Sequence, residues 1–233
     1  MSTEISKKNI ILVHGAFADR SGWKAVYKLL KAQGYPVTIV QLPLTGLQDD
    51  VKALSLALDR SAASSVLVAH SWGGTVITEA GVHPKVDALV YLAAFQPDTN
   101  ENTYQWFSSV EPAAENGILP PDDKGYVYYD KTKFHAGFCA DLDVEEADFL
   151  ADAQQPLAGA AFEAIITEAA WRTKPAFAVV AKNDNSLSPI IQRKMYERSN
   201  TSFVEVESSH AVYISHPEDV VNRIITAAEG INN

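Results

Sequence analysis

Val66-Leu67-Val68-Ala69-His70-Ser71-Trp72-Gly73-Gly74 is the stretch on which the reading of this chain turns. Its four apolar residues describe a short buried strand, and a helix is expected behind the glycines, running to about Ala80. Between them stands small residue, X, Ser, X, Gly, the pattern of a nucleophile elbow. So tight a turn needs small flanking residues, and it holds the serine hydroxyl clear of the sheet edge. The following helix offers backbone N–H groups toward developing negative charge. Ala69 replaces the first glycine of the commoner motif, which is the least damaging exchange. Such a string is frequent by chance. Its place after a buried strand and before a helix makes Ser71 the candidate nucleophile.

Outward from the elbow the same rhythm continues. Upstream, Ile10-Ile11-Leu12-Val13 lacks alternation, as a strand buried on both faces of a parallel sheet does. It leads into His14-Gly15-Ala16-Phe17 and an amphipathic stretch from about Ser21 to Gln33, closed by Gly34. A strand at Val37–Val40 follows, then Leu47, Val51, Leu54 and Leu58 at helical spacing. Downstream a strand is expected near Val86–Leu92. Alternating strands and helices indicate βαβ units and the α/β class. From about Gln96 to Arg172 the rhythm stops. That segment has several prolines, many aromatics and acidic helix-like pieces at Val144–Ala153 and Ala160–Ala169. The rhythm resumes with a strand from Ala176, a helix at Pro189–Arg198, a strand at Phe203–Val206 and a last helix from Pro217 to about Ala228. The expected organisation is one structural domain. Its core comprises residues 1–95 and 173–233, and a cap of residues 96–172 lies over the carboxyl edge of the sheet, where open α/β sheets bind ligands.

The bulk properties set outer bounds. The chain has 233 residues, 47% hydrophobic and 21% charged, which suits one larger α/β domain. Its formal net charge of -10 repels polyanions, so nucleic acid and anionic membrane surfaces are poor partners and a small-molecule substrate fits better. Cys139 is the only cysteine, which excludes an internal disulfide and suits a packed thiol. The apolar run at Ile10–Val13 is too short for a signal-peptide core, and a cytoplasmic protein, monomer or homodimer, is expected.

A serine nucleophile needs a base and a carboxylate to orient it. His210, in Glu207-Ser208-Ser209-His210 after a late strand, is the candidate base. His14, His70, His83, His135 and His216 lack that combination of strand exit and chain order. Asp184, in Lys182-Asn183-Asp184-Asn185 at a strand exit, is the preferred acid, with Asp98 as the alternative. An oxyanion needs two backbone donors. Trp72 is one, and in the first loop Ala16 is preferred with Phe17 as fallback. No His-Glu-x-x-His, paired cysteines or phosphate-binding glycine loop is present, so neither metal nor cofactor is expected.

The run His14-Gly15-Ala16-Phe17 with Trp23, the elbow through Gly74, Asp184 with Pro189, and Ser209-His210-Ala211 through His216-Pro217 resemble the α/β-hydrolase superfamily. The branch the chain most resembles is that of small bacterial and fungal hydrolases similar to plant methyl esterases and hydroxynitrile lyases. The resemblance implies the α/β-hydrolase fold, with the sheet reduced to about six parallel strands and a mainly helical cap inserted after the fourth. The lyases carry threonine after the first-loop histidine and lysine after the catalytic one. Gly15 and Ala211 stand there, which points to an esterase. The expected activity is hydrolysis of a small apolar or aromatic carboxylic ester through an acyl-enzyme. Phe17, Trp72, Phe95, Trp106, Tyr128, Tyr129, Phe134, His135 and Trp171 are candidate pocket walls. A ligand-binding protein with little turnover, or a cofactor-free lyase on the same scaffold, is the alternative.

Overall fold

The computed structural model describes residues 7–230; residues 1–6 and 231–233, at the ends of the expected core, lie outside the described residues. In chain order, β1 (Asn9–Val13) is followed by a 3-10 turn at Arg20–Trp23 and α1 (Lys24–Ala32). Next come β2 (Val37–Val40), α2 (Leu47–Arg60), β3 (Ser65–His70), α3 (Gly73–Ala80) and β4 (Val86–Leu92). The intervening segment holds α4 (Thr103–Phe107), β5 (Tyr126–Val127), α5 (Lys131–Phe138), α6 (Val144–Ala153), β6 (Leu157–Ala158) and α7 (Gly159–Phe162). The chain then returns through β7 (Ala176–Ala181), α8 (Pro189–Arg198), β8 (Ser202–Val206), α9 (Val212–Ser215) and α10 (Pro217–Glu229).

Six strands pair in parallel in the order β2-β1-β3-β4-β7-β8. The runs without alternation are explained by two cores, one on each face. Ile11, Val13, Leu67, Ala69, Leu89 and Tyr91 point to the side of α2 and α3. Ile10, Leu12, Val66, Val68, Val90 and Leu92 point to the opposite side, against Val26 and Leu30 of α1 and Val220 and Ile224 of α10. Each fully buried aliphatic side chain of this kind contributes about 1.5–3 kcal/mol by leaving water. Both faces must be apolar, so a period of two is lost. No helix among the described residues is long and apolar enough to cross a membrane.

The order β2-β1-β3 means that the chain leaves β1 in one direction and returns on its other side at β3. The crevice outside the carboxyl ends of β1 and β3 is therefore a topological switch point, the usual ligand site of open α/β sheets. The segment between β4 and β7, which includes the two-stranded antiparallel ladder β5–β6, brings Phe107, Ile118, Tyr129, Phe138 and Phe162 to a cavity shared with Ser71 at that edge. The expected helix at Ala160–Ala169 shrinks to the single turn α7. Long-range backbone pairing takes the rest: Ile166 N–H donates to Glu101 O at 2.9 Å, and Asn100 N–H to Ile166 O at 2.9 Å. Pairing of this kind overrides local helical propensity.

Candidate active site

Ser71 occupies the left-handed region, φ +51, directly after β3. A non-glycine residue there is strained, and the surroundings hold it in place. Its N–H donates to Leu92 O at 3.3 Å, while its carbonyl accepts from Gly74 N–H at 3.0 Å and Phe95 N–H at 3.2 Å. A Cβ on Gly73 would lie 2.7 Å from His14 O and 3.3 Å from the Ala69 Cβ. That crowding explains why position 73 is glycine, and the absence of a larger side chain at position 69.

The loops after β7 and β8 bring Asp184 and His210 together: His210 Nδ1 meets Asp184 Oδ2 at 2.6 Å, with both residues buried. The carboxylate is fully engaged. Oδ1 accepts from Ser186 N–H and Leu187 N–H, each at 2.8 Å, and Oδ2 also accepts from Gln192 Nε2 at 2.8 Å. These bonds fix its orientation and leave His210 Nε2 as the free ring nitrogen. Two further contacts hold the His210 loop. The buried His70 donates from Nε2 to His210 O at 2.9 Å, and Ser209 N–H donates to Asp141 at 3.0 Å. Burial and the adjacent His210 hold the His70 imidazole well below its ordinary range, so it is neutral. Asp98 sits elsewhere, gripped by Arg172 through Nε at 2.6 Å and Nη2 at 2.5 Å.

The Ala16 and Trp72 N–H groups have no hydrogen-bond partner among the described residues. The Phe17 N–H donates to Gln155 O at 3.1 Å, which removes the fallback donor. Phe17 itself lies at φ +59. The first loop is anchored by His14, whose Nδ1 donates to Gly15 O at 2.8 Å and whose Nε2 accepts from Leu42 N–H at 2.9 Å. Burial lowers the His14 pKa, in keeping with that neutral tautomer.

Ala16, Phe17, Ser71, Trp72, Phe95 and His210 line one cavity, together with Phe107, Ile118, Tyr129, Phe138, Phe162, Ser186 and Leu187. Its volume is only about 20 Å³, room for a water molecule or two. Of the expected walls, Phe17, Trp72, Phe95 and Tyr129 are present, and Phe134 stacks behind them on Phe138 at 4.8 Å. Trp106, Tyr128, His135 and Trp171 are not. Trp106 donates to Glu101 at 2.7 Å beneath Arg198, and Trp171 donates to Pro97 O at 2.9 Å. A ring nitrogen of His135 meets Leu142 O at 2.9 Å, and Tyr128 faces outward, 40% exposed. Cys139 is a packed thiol, pushed up to about 12 by burial.

Sequence reasoning missed Phe107, Ile118, Phe138, Phe162 and Leu187, which carry no chemical signal of their own. It also missed Asp50, a buried carboxylate that accepts from Trp72 Nε1 and Leu44 N–H, each at 2.8 Å. Here a signal existed: position 50 falls between Leu47 and Leu54 on the apolar face of α2.

A model of the alpha/beta hydrolase family matches residues 10–223, which include the elbow, Asp184 and His210. "Probable hydrolase R7" of Phoma sp. is 25% identical over 237 residues, 92% of this chain and 95% of that protein. Methylesterase 2 of Arabidopsis thaliana is 25% identical over 264 residues, 98% and 99% of the two chains. The solved structure of a pyrethroid hydrolase from Sphingobium faniae JZ-2 superposes with a TM-score of 0.83 at 24% identity, over 96% of this chain and 98% of that one, a likeness of fold. With its six-stranded parallel sheet and a family match spanning nearly its whole length, the chain belongs to the alpha/beta hydrolase family.

Proposed function

We propose that this protein is a serine hydrolase that cleaves a small apolar or aromatic carboxylic ester by way of an acyl-enzyme. Ser71 Oγ attacks the carbonyl carbon and gives its proton to His210 Nε2. Asp184 stabilises the imidazolium through Nδ1. The oxyanion is held by the N–H groups of Ala16 and Trp72, and His210 returns the proton to the departing alcohol. Water then repeats the sequence on the acyl-enzyme and releases the acid. The observation that carries this reading is the 2.6 Å His210–Asp184 contact beside the same cavity as the strained Ser71. Aromatic walls support an apolar substrate. Full-length likeness to a protein named a methylesterase supports an ester.

The test is turnover of short-chain nitrophenyl esters and methyl esters of aromatic acids by the wild type and Ser71→Ala. The expected result is turnover that vanishes in a folded variant, with a fluorophosphonate labelling wild type alone. Undiminished turnover by Ser71→Ala would overturn the assignment.

A further inference from the structure

The cavity at Ser71 is too small for any ester, yet its outer wall is shared with a much larger space. Phe107, Ile118 and Phe162 line the cavity on one side and a surface groove of about 560 Å³ on the other. Residues that line both spaces form the partition between them. Its centre is the Phe107–Phe162 pair, stacked at 6.3 Å with planes 24° apart, and all three partition residues are only half-buried. Phe162 leans edge-on against Trp72 at 5.8 Å, so the partition adjoins the proposed oxyanion site.

The groove has the size of a small-molecule site, about 300–1,000 Å³. Leu119, Pro120, Pro121 and Val127 make its surface mainly apolar, with Glu163 its one charged lining residue, and Tyr104 and Leu119 leave 52% and 42% of their surface exposed. Exposed apolar groups gathered in one groove mark a binding surface. A second groove, of about 520 Å³, also touches Phe107 and Ser186, but there Val110, Pro112 and Ile190 are interspersed with Glu111, Lys182, Asn183 and Asn185, a lining less suited to an extended hydrocarbon. A third, of about 480 Å³ near Lys24 and Phe149, shares no wall with the Ser71 cavity.

We propose that the apolar groove between α4, the 118–121 segment and α7 binds the long apolar arm of the ester, whose carbonyl reaches Ser71 when the Phe107–Phe162 stack parts. This rests on the reading of Ser71 as nucleophile. The substrate class becomes an uncharged ester with an extended alkyl or aryl arm. Each methylene placed in the groove contributes about 0.8 kcal/mol, or about fourfold in kcat/KM.

The experiment compares nitrophenyl acetate, butyrate and octanoate, and the acetates of short and long alkanols, on wild type, Ala160→Trp and Leu119→Arg. Ala160 and Leu119 line the groove and not the Ser71 cavity. The expected result is a rise in wild-type kcat/KM with arm length in at least one series. In both variants that rise falls at least about tenfold, while the short acetates stay within twofold and the melting temperature is unchanged. Equal arm-length dependence in wild type and variants overturns the groove. Binding to Ser71→Ala separates the two readings: 4-nitrophenyl octyl ether, which cannot be hydrolysed, should bind at least about tenfold more weakly once Ala160→Trp is added. An unchanged Kd overturns the groove whether or not esters are turned over. A weakened Kd without turnover keeps the groove and fails the hydrolase reading.

Discussion

The carboxylate of Asp50 accepts a hydrogen bond from the indole Nε1–H of Trp72 at 2.8 Å, joining α2 to the residue that follows the elbow serine. The same carboxylate accepts from Leu44 N–H at 2.8 Å, and Leu44 O accepts from Ala158 N–H of β6 at 2.9 Å. Leu44 is itself held at φ +59. A buried acid thus links the elbow, the loop after β2 and the covering segment. Its effect on Ser71 chemistry would pass through the placement of Trp72, whose backbone N–H is the proposed oxyanion donor.

Asp50→Asn keeps the volume and one acceptor but presents an amide donor where two donors converge. About 1 kcal/mol of lost hydrogen bonding predicts kcat about fivefold lower with little change in KM. Steady-state kinetics on a short ester checks this, and an unchanged kcat would show that the link is structural only.

The same residue makes a pH prediction with a definite sign. Burial, assisted by nearby Asp49, raises Asp50 from 3.8 to about 6 although its two donors work against the rise. Between these values the native state holds a proton that the unfolded chain has lost. Stability from this group therefore falls as pH rises through about 4 to 6, by about 3 kcal/mol at most. Asp50→Asn should remove that slope in urea unfolding measured across the interval.

His70 works in the opposite direction. Its folded-state pKa lies well below the ordinary 6.5, because burial and the adjacent His210 disfavour the cation. As pH falls through about 6.5 the unfolded chain takes up a proton that the native state refuses, so stability present above that pH is lost. His70→Gln, which can still donate to His210 O, should reduce the loss in urea midpoint between pH 8 and pH 6. His14, also lowered by burial, should retain its own share.

Asp184→Asn and Asp98→Asn separate the two carboxylates that competed for one role. The first loses the charge that orients His210 Nδ1 at 2.6 Å, and kcat should drop about 10⁴-fold. The second weakens a pair with Arg172 in which only the arginine is exposed and which does not line the Ser71 cavity, and kcat should stay within about twofold. A large loss in Asp98→Asn would reverse the assignment.

Gly15→Ala tests the crowding beneath Ser71. The added Cβ would sit 2.7 Å from Ser71 Cβ and 3.0 Å from His70 O, neither of which can move freely. Displacing the first loop or the serine by a fraction of an ångström should cost about 10² in kcat. Overpacking should also destabilise by about 1–3 kcal/mol. Thermal unfolding and kinetics on one preparation check both.

The fold and the residues proposed to react were legible because their signals are local. A strand buried on both faces must be apolar throughout, as Ile10–Val13 and Val66–Ala69 are. A tight elbow must have small neighbours, hence Ala69 and Gly73, and the proposed base and acid stand where β8 and β7 end. The order of elements along the chain thus contained the α/β architecture. The walls of the cavity were decided only in three dimensions. Trp106 and Phe107 are neighbours in α4, yet one turns to Glu101 and Arg198 while the other closes the Ser71 cavity. Trp106 has an indole N–H to satisfy and Phe107 has none, yet only the fold shows that Glu101 is the acceptor and that Phe107 faces the Ser71 cavity. Their placement follows from contacts such as Ile166 with Glu101 and Ala158 with Leu44, which join residues far apart in sequence. So too with the first loop: whether Ala16 or Phe17 keeps a free N–H depended on where Gln155 placed its carbonyl. Local sterics wrote the elbow into the sequence, whereas long-range backbone pairing chose which aromatic rings face it.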